Sequence, residues 1–99
     1  MDQLLAIKCF GAIAHEGRLS LMRRLIVAGP EGMASGDLAR AEGVNATTAS
    51  AQLLILANCG LVNTRRVGKS IIYSAQFDQF QALISFLMED CCGGICEFK

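Results

Sequence analysis

Ser35-Gly36-Asp37-Leu38-Ala39-Arg40-Ala41-Glu42-Gly43-Val44-Asn45-Ala46-Thr47-Thr48-Ala49-Ser50-Ala51-Gln52-Leu53-Leu54-Ile55-Leu56 is the stretch that decides the fold. Ser35 carries the hydroxyl of an N-cap, and Asp37 sits where a helix dipole favours negative charge. A short helix over 36–42 then ends at Gly43, the residue type that closes a helix. Shortly after it, Asn45 caps another helix over about 45–58, with Ala49, Leu53 and Leu56 as its buried stripe. Gly60 closes that helix. The stretch is two helices joined by a tight glycine turn.

Downstream, Leu61–Arg66 and Ser70–Ala75 are rich in β-branched and aromatic residues, and Val67-Gly68-Lys69 separates them. This pattern predicts a β-hairpin with the glycine at its turn. Upstream, Asp2 caps a first helix to about His15, with Leu4, Ile7, Phe10 and Ala14 at helical spacing, and Gly17 breaks it. A second helix runs through Leu19, Met22, Leu25 and Ile26 and stops at Gly29-Pro30; Glu31-Gly32 reads as a turn. The last helix begins near Phe77 or Asp78, with Phe77, Phe80, Ile84 and Leu87 in register. Leu83, Phe86 and Met88 widen its apolar face beyond what a monomer surface usually shows. The order is ααααββα, mainly α with a β-hairpin wing: the layout of a winged helix-turn-helix.

Residues 1–99 suffice for a single domain. Nine basic and nine acidic residues cancel, so an anionic partner has to be met by a local patch. Two such clusters exist: Arg18, Arg23 and Arg24, and Arg65, Arg66 and Lys69. Residues 43–64 carry no charge, but their Asn, Thr, Ser, Gln and Gly content is too high for a membrane span. The start lacks a secretory pattern, and the cysteine count is odd at five. These features predict a soluble cytoplasmic protein with reduced thiols and no membrane partner.

In a winged helix-turn-helix the second helix of the motif enters the major groove, and its first residues meet base edges. With Ala49, Leu53 and Leu56 inward, Thr47, Ala51, Leu54 and Ile55 face away, flanked by Thr48 and Ser50. Hydroxyls can bond base edges and phosphates, and methyls can touch thymine. The helix candidates for DNA contact are Thr47, Thr48, Ser50, Ala51 and Gln52. The hairpin adds Arg65, Arg66 and Lys69 for the phosphate backbone. Taken alone, Arg65 and Arg66 equally suit a solvated edge that guards a strand against aggregation; the helix pair upstream favours DNA.

The residues Val44 to Leu53, then Cys59-Gly60-Leu61-Val62 and Arg65-Arg66-Val67-Gly68-Lys69-Ser70-Ile71-Ile72-Tyr73-Ser74, resemble the ArsR/SmtB family of bacterial repressors. Ala14-His15-Glu16-Gly17-Arg18-Leu19 is similar to that family's Ala-His-Pro-x-Arg-Leu segment, and Asp37-Leu38-Ala39 to its third-helix pattern. The wing pattern Arg66-x-Gly68-x-x-x-x-Tyr73 is the most distinctive piece. The resemblance implies a homodimer through the first and last helices, bound to an imperfect palindrome in double-stranded operator DNA and released by an inducer. Two departures stand out. The recognition helix lacks the family's usual basic residues or histidine, and Glu16 replaces a proline.

The family's third-helix cysteine pair would fall near residues 33–37, where there is no cysteine, and its last-helix zinc site needs histidines where the only one is His15. What remains is Cys91, Cys92 and Cys96, in a cysteine-rich segment over 91–99. Adjacent helical residues point ~100° apart, so Cys91 and Cys92 converge only where a helix ends, and Gly93-Gly94 offers that ending. Thiolates select soft ions. Three of them suit trivalent arsenic, as arsenite, or antimony, and two suit a methylated arsenical such as methylarsenite, whereas structural zinc wants four ligands. Some arsenic repressors of the resembled family carry a cysteine pair and a third nearby cysteine after the last helix, and this tail resembles them. The spacing leaves open whether two or three thiols share one ion.

The same cluster also fits a redox or persulfide switch, or a tail with incidental thiols. Cys9 and Cys59 read as packing residues and His15 as a cap. Two readings outside regulation are a small arsenic-handling reductase and a cytosolic metalloid-binding protein. The first needs a phosphate cradle, and neither a glycine-rich phosphate loop nor a Cys-x5-Arg cradle is expected; the second leaves the wing unexplained.

Overall fold

A computed structural model describes residues 1–89. Helix α1, Gln3–Ile13, starts where the Asp2 carboxylate accepts the Leu5 N–H at 2.7 Å. It ends earlier than expected, at Ile13, because His15 is already extended and its Nδ1 accepts the Gly17 N–H at 3.1 Å. His15 is therefore the cap of α2, Glu16–Ala28. Gly17 lies in the first turn of that helix, and the break falls at Ala14–His15 instead.

Helix α2 ends at Gly29, and a 3-10 turn, Gly29–Glu31, leads into a strand that the sequence did not suggest: β1, Met33–Ala34. Strand β1 pairs with β3, Met33 opposite Tyr73 and Ala34 opposite Ile72. Gly32 makes this pairing possible. Its φ is +72°, and a Cβ there would sit 2.1 Å from the Tyr73 carbonyl oxygen.

Helix α3, Ser35–Glu42, follows directly. Its cap position is Ala34, not Ser35, and no side chain caps it: the strand residue runs straight into the helix and leaves Ser35 inside the first turn. The end is as expected. Gly43 takes the left-handed conformation, its N–H and that of Val44 returning to the Arg40 and Ala39 carbonyls. Asn45 then caps α4, Ala46–Asn58, its Oδ1 accepting the Thr48 N–H at 2.7 Å.

Strands β2, Val62–Val67, and β3, Ser70–Ala75, form the hairpin. Val67 pairs with Ser70, so the turn is the two residues Gly68-Lys69, one shorter than the sequence suggested. The sheet order is β1-β3-β2. Helix α5, Phe77–Met88, completes the winged helix-turn-helix.

The core sits where α2 crosses the other elements. Leu21, Met22 and Leu25 of α2 meet Leu38, Leu53, Leu56, Leu61 and Leu83, all at most 2% exposed. Each such leucine contributes about 1.5–3 kcal/mol by leaving water. Ala49 joins Leu53 and Leu56 on the buried side of α4, as its periodicity predicts. Helix α1 turns the small side chains Ala6, Cys9 and Ala12 inward, while Leu4 and Ile7 remain 81% and 59% exposed. No helix among the described residues is long and apolar enough to cross a membrane.

Candidate nucleic-acid interface and cysteine positions

Burying Ala49, Leu53 and Leu56 fixes what α4 can present. Thr47, Thr48, Ser50, Ala51, Leu54 and Ile55 are all exposed. Thr47, Ser50, Ala51 and Leu54 follow the three-and-four spacing of one helix face. The face offers hydroxyls and methyl groups and carries no charge. It begins at the Asn45 cap, which occupies the Asn45 amide oxygen and leaves the hydroxyls of Thr47 and Thr48 at the helix N-terminus.

Gln52 stands apart from the other helix candidates. It is half-buried, and its Oε1 accepts from Nη1 of Arg18 at 2.9 Å. Arg18 Nε also donates to the Ala12 carbonyl at the end of α1. Arg18 thus spans α1, α2 and α4. The sequence shows it only as one member of a basic cluster, because nothing local signals a bond between positions so far apart.

The wing divides its charges. Arg65 donates from Nη2 to the Glu31 carbonyl at 3.2 Å, fastening β2 to the turn before β1. Arg66, opposite Ile71, and Lys69, at the turn, are exposed, and their side chains make no hydrogen bond or ion pair among the described residues. Successive strand residues point to opposite faces, so Arg65 and Arg66 present their charges on different sides. Arg24 and Ser20 of α2 bond the Glu42 carboxylate of α3, the latter at 2.8 Å. Burial works against the Glu42 charge, but these two donors outweigh it and hold the carboxyl below its ordinary value.

The five thiols separate into two groups. Cys9 and Cys59 are buried side by side, Cys9 Sγ donating to the Cys59 carbonyl at 3.4 Å and Cys59 Sγ to the Leu56 carbonyl at 3.3 Å. Gln79 of α5 caps the pair through the Cys59 carbonyl at 3.0 Å. Burial, then the neighbouring Cys59, pushes the Cys9 thiol up to about 11. Such a thiol is a packing group, not a nucleophile. Cys91, Cys92 and Cys96 lie outside the described residues. Among the described residues no group of three His, Cys, Asp or Glu side chains gathers to hold a metal.

Cys59 and Arg65 do stand at the Cys-x5-Arg spacing of a phosphate cradle. The cradle is not formed. Cys59 closes α4 inside the core, and Arg65 lies within β2 with its guanidinium on Glu31.

Outside the helix-turn-helix, exposed apolar side chains lie on α1, α2 and α5, with Leu19, Ile26 and Val27 showing on α2. Leu4 and Ile7 show on α1; Phe77, Ile84, Leu87 and Met88 show on α5, with Leu87 65% exposed. On α5 only Leu83 is fully buried.

No protein-family model matches the chain. The HTH-type transcriptional regulator YceK of Bacillus subtilis is 30% identical over 88 residues, spanning 89% of this chain and 87% of the relative. Among solved structures, an ArsR-like transcriptional regulator from Rhodococcus sp. RHA1 superposes with a TM-score of 0.74 at 25% identity, over 85% of this chain and 76% of that one. The homodimeric winged helix-turn-helix DNA-binding domain of Mb0332 from Mycobacterium bovis, a possible ArsR-family regulator, gives 0.70 at 28% identity, over 96% and 88%.

Proposed function

Because this chain belongs to the ArsR family of winged helix-turn-helix transcriptional regulators, we propose that it is a repressor that binds double-stranded operator DNA as a homodimer and leaves it when trivalent arsenic or antimony binds Cys91, Cys92 and Cys96. The observation that carries the DNA half is the exposed N-terminal face of α4 beside a wing whose Arg66 and Lys69 have no partner among the described residues. Phosphate contacts from the wing place the protein, and α4 meets the bases.

The dimer rests on the apolar outer faces of α1 and α5, and on the homodimeric state of the Mycobacterium bovis domain. Two such protomers present their α4 helices to half-sites about 34–36 Å apart, one turn of DNA. The inducer half rests on chemistry. Three thiols within six positions follow α5 in sequence, and soft thiolates suit a three-coordinate trivalent metalloid. Because α5 also carries the proposed interface, ligand binding at its end acts on the spacing of the two α4 helices. A coupling of about 1–3 kcal/mol suffices for release. The ligand needs deprotonated thiols, so its affinity rises with pH.

The test is fluorescence anisotropy on DNA upstream of the gene for this protein, titrated with arsenite, antimonite, methylarsenite, zinc, cadmium and a persulfide donor under reducing control. Release by the trivalent metalloids alone, abolished in Cys91→Ser/Cys92→Ser, is expected. Release only by the persulfide donor makes the tail a sulfur-redox switch and rejects the metalloid reading. Unchanged release from the double-serine variant removes these cysteines from sensing altogether.

A further inference from the structure

We infer that α4 selects its operator chiefly by the C5-methyl groups of thymine, through Thr47, Ala51 and Leu54, with Thr47 and Ser50 hydroxyls as the polar complement. The inference rests on the proposed reading of α4 as the helix that enters the major groove. It then follows from what that helix can and cannot offer.

Base edges are usually distinguished by side chains that make paired hydrogen bonds: Arg or Lys to guanine, Asn or Gln to adenine, Asp or Glu to cytosine. None is available on the presented face. Residues 43–64 contain no charged side chain at all. Asn45 spends its oxygen on the helix cap, and Gln52 spends its oxygen on Arg18, half-buried on the flank of the helix. Asn58 is at the far end of α4, away from the end that meets base edges.

What remains along one line of the helix is Thr47, Ser50, Ala51 and Leu54, all exposed, with Leu54 at 59%. The only apolar group that base pairs display in the major groove is the thymine methyl. A leucine at this position stays in water unless the surface opposite it is apolar too. The wing cations supply attraction that is blind to sequence, so discrimination falls to these methyl contacts. The binding sites of this chain are therefore rich in thymine where α4 lies, and their preference is steric and apolar in origin.

The experiment starts from duplexes that the protein selects out of a random-sequence pool. A selected duplex is then compared with the same duplex carrying deoxyuridine for every thymine, which removes the methyl and keeps every hydrogen-bonding group. Each buried methyl is worth about fourfold in affinity. Two symmetric half-sites therefore lose roughly tenfold or more on the uracil duplex. Thr47→Ser, which keeps the hydroxyl and drops a methyl, and Leu54→Ala should weaken the thymine duplex and narrow that gap. Equal affinity for the two duplexes overturns the inference while leaving DNA binding intact. A protein that selects no duplex from the pool brings down the DNA reading itself, and the inference with it.

Discussion

Arg18 and Gln52 are joined by a 2.9 Å hydrogen bond between side chains 34 positions apart, and the same guanidinium holds the last carbonyls of α1 through Ala12. This single side chain fixes where α1 ends relative to α4. Arg18→Met removes both bonds and leaves a half-buried amide without a partner, a loss of about 1–3 kcal/mol. Chemical denaturation is expected to show that loss. A double-mutant cycle with Gln52→Ala is expected to show that the two changes are not additive. Additive losses would mean that the bond contributes nothing. Arg18→Lys does not restore the wild-type value, because an ammonium lacks the planar fork that serves two acceptors at once.

The Glu42 carboxylate gives the fold an acid limb. Its folded pKa lies below the ordinary 4.5, burial opposing the charge and Arg24 and Ser20 prevailing. A depressed carboxylate contributes stability that is fully present above the unfolded value and is lost as pH falls through the folded value. Between pH 7 and about pH 5 its contribution is therefore constant, and it disappears below that. Glu42→Gln should cost about 1 kcal/mol at neutral pH, since the Arg24 partner is partly exposed to solvent. Thermal melts across pH 3–7 are expected to show a smaller difference between variant and wild type at the acid end. A difference that stays constant throughout excludes Glu42 as the titrating group.

Much of α4 was legible because its signals are local. Asn45 is followed three positions later by the N–H it caps, and Ala49, Leu53 and Leu56 recur at the helical period. Hairpin and turn residues are local signals too. What was not legible depends on distant partners. Strand β1 is two residues long and exists only because Tyr73 and Ile72 lie opposite it, which also displaces Ser35 from the expected cap. The periodicity of Leu4, Ile7 and Phe10 identified α1 as a helix, but not which side faces in; the inner side is made of Ala6, Cys9 and Ala12. Small residues carry a weak apolar signal, although they let a helix approach closely. Gln52 shows the same limit at the candidate site, since only the folded chain brings Arg18 to it.

Gly32 carries more of the fold than its lack of a side chain suggests. Positive φ alone costs a non-glycine residue about 1–2 kcal/mol. At Gly32 an added Cβ also meets the Tyr73 backbone oxygen at 2.1 Å, and neither atom belongs to a flexible side chain. Gly43, with φ of +69° and nothing within 4 Å of its notional Cβ, has the strain without the clash. Gly32→Ala is therefore expected to destabilise by roughly 2–3 kcal/mol and to loosen β1 from β3. Gly43→Ala should cost about 1 kcal/mol. Equal melting temperatures for the two variants would show that β1 moves aside freely and contributes little to the sheet.

The outer faces of α1 and α5 provide the test of assembly. Ile7 and Leu87 are 59% and 65% exposed in the protomer and stand outside its core, so replacing them disturbs its packing little. A charge at each position does oppose burial in an interface, where an unpaired ionised group is strongly disfavoured. Ile7→Glu/Leu87→Glu should therefore keep the wild-type far-UV circular dichroism and sediment at half the wild-type mass. Its affinity for a two-half-site duplex should fall steeply, while its affinity for a single half-site changes little, because the loss is one of linkage between two contacts. A double variant that still sediments as a dimer places the interface on another face of the protomer.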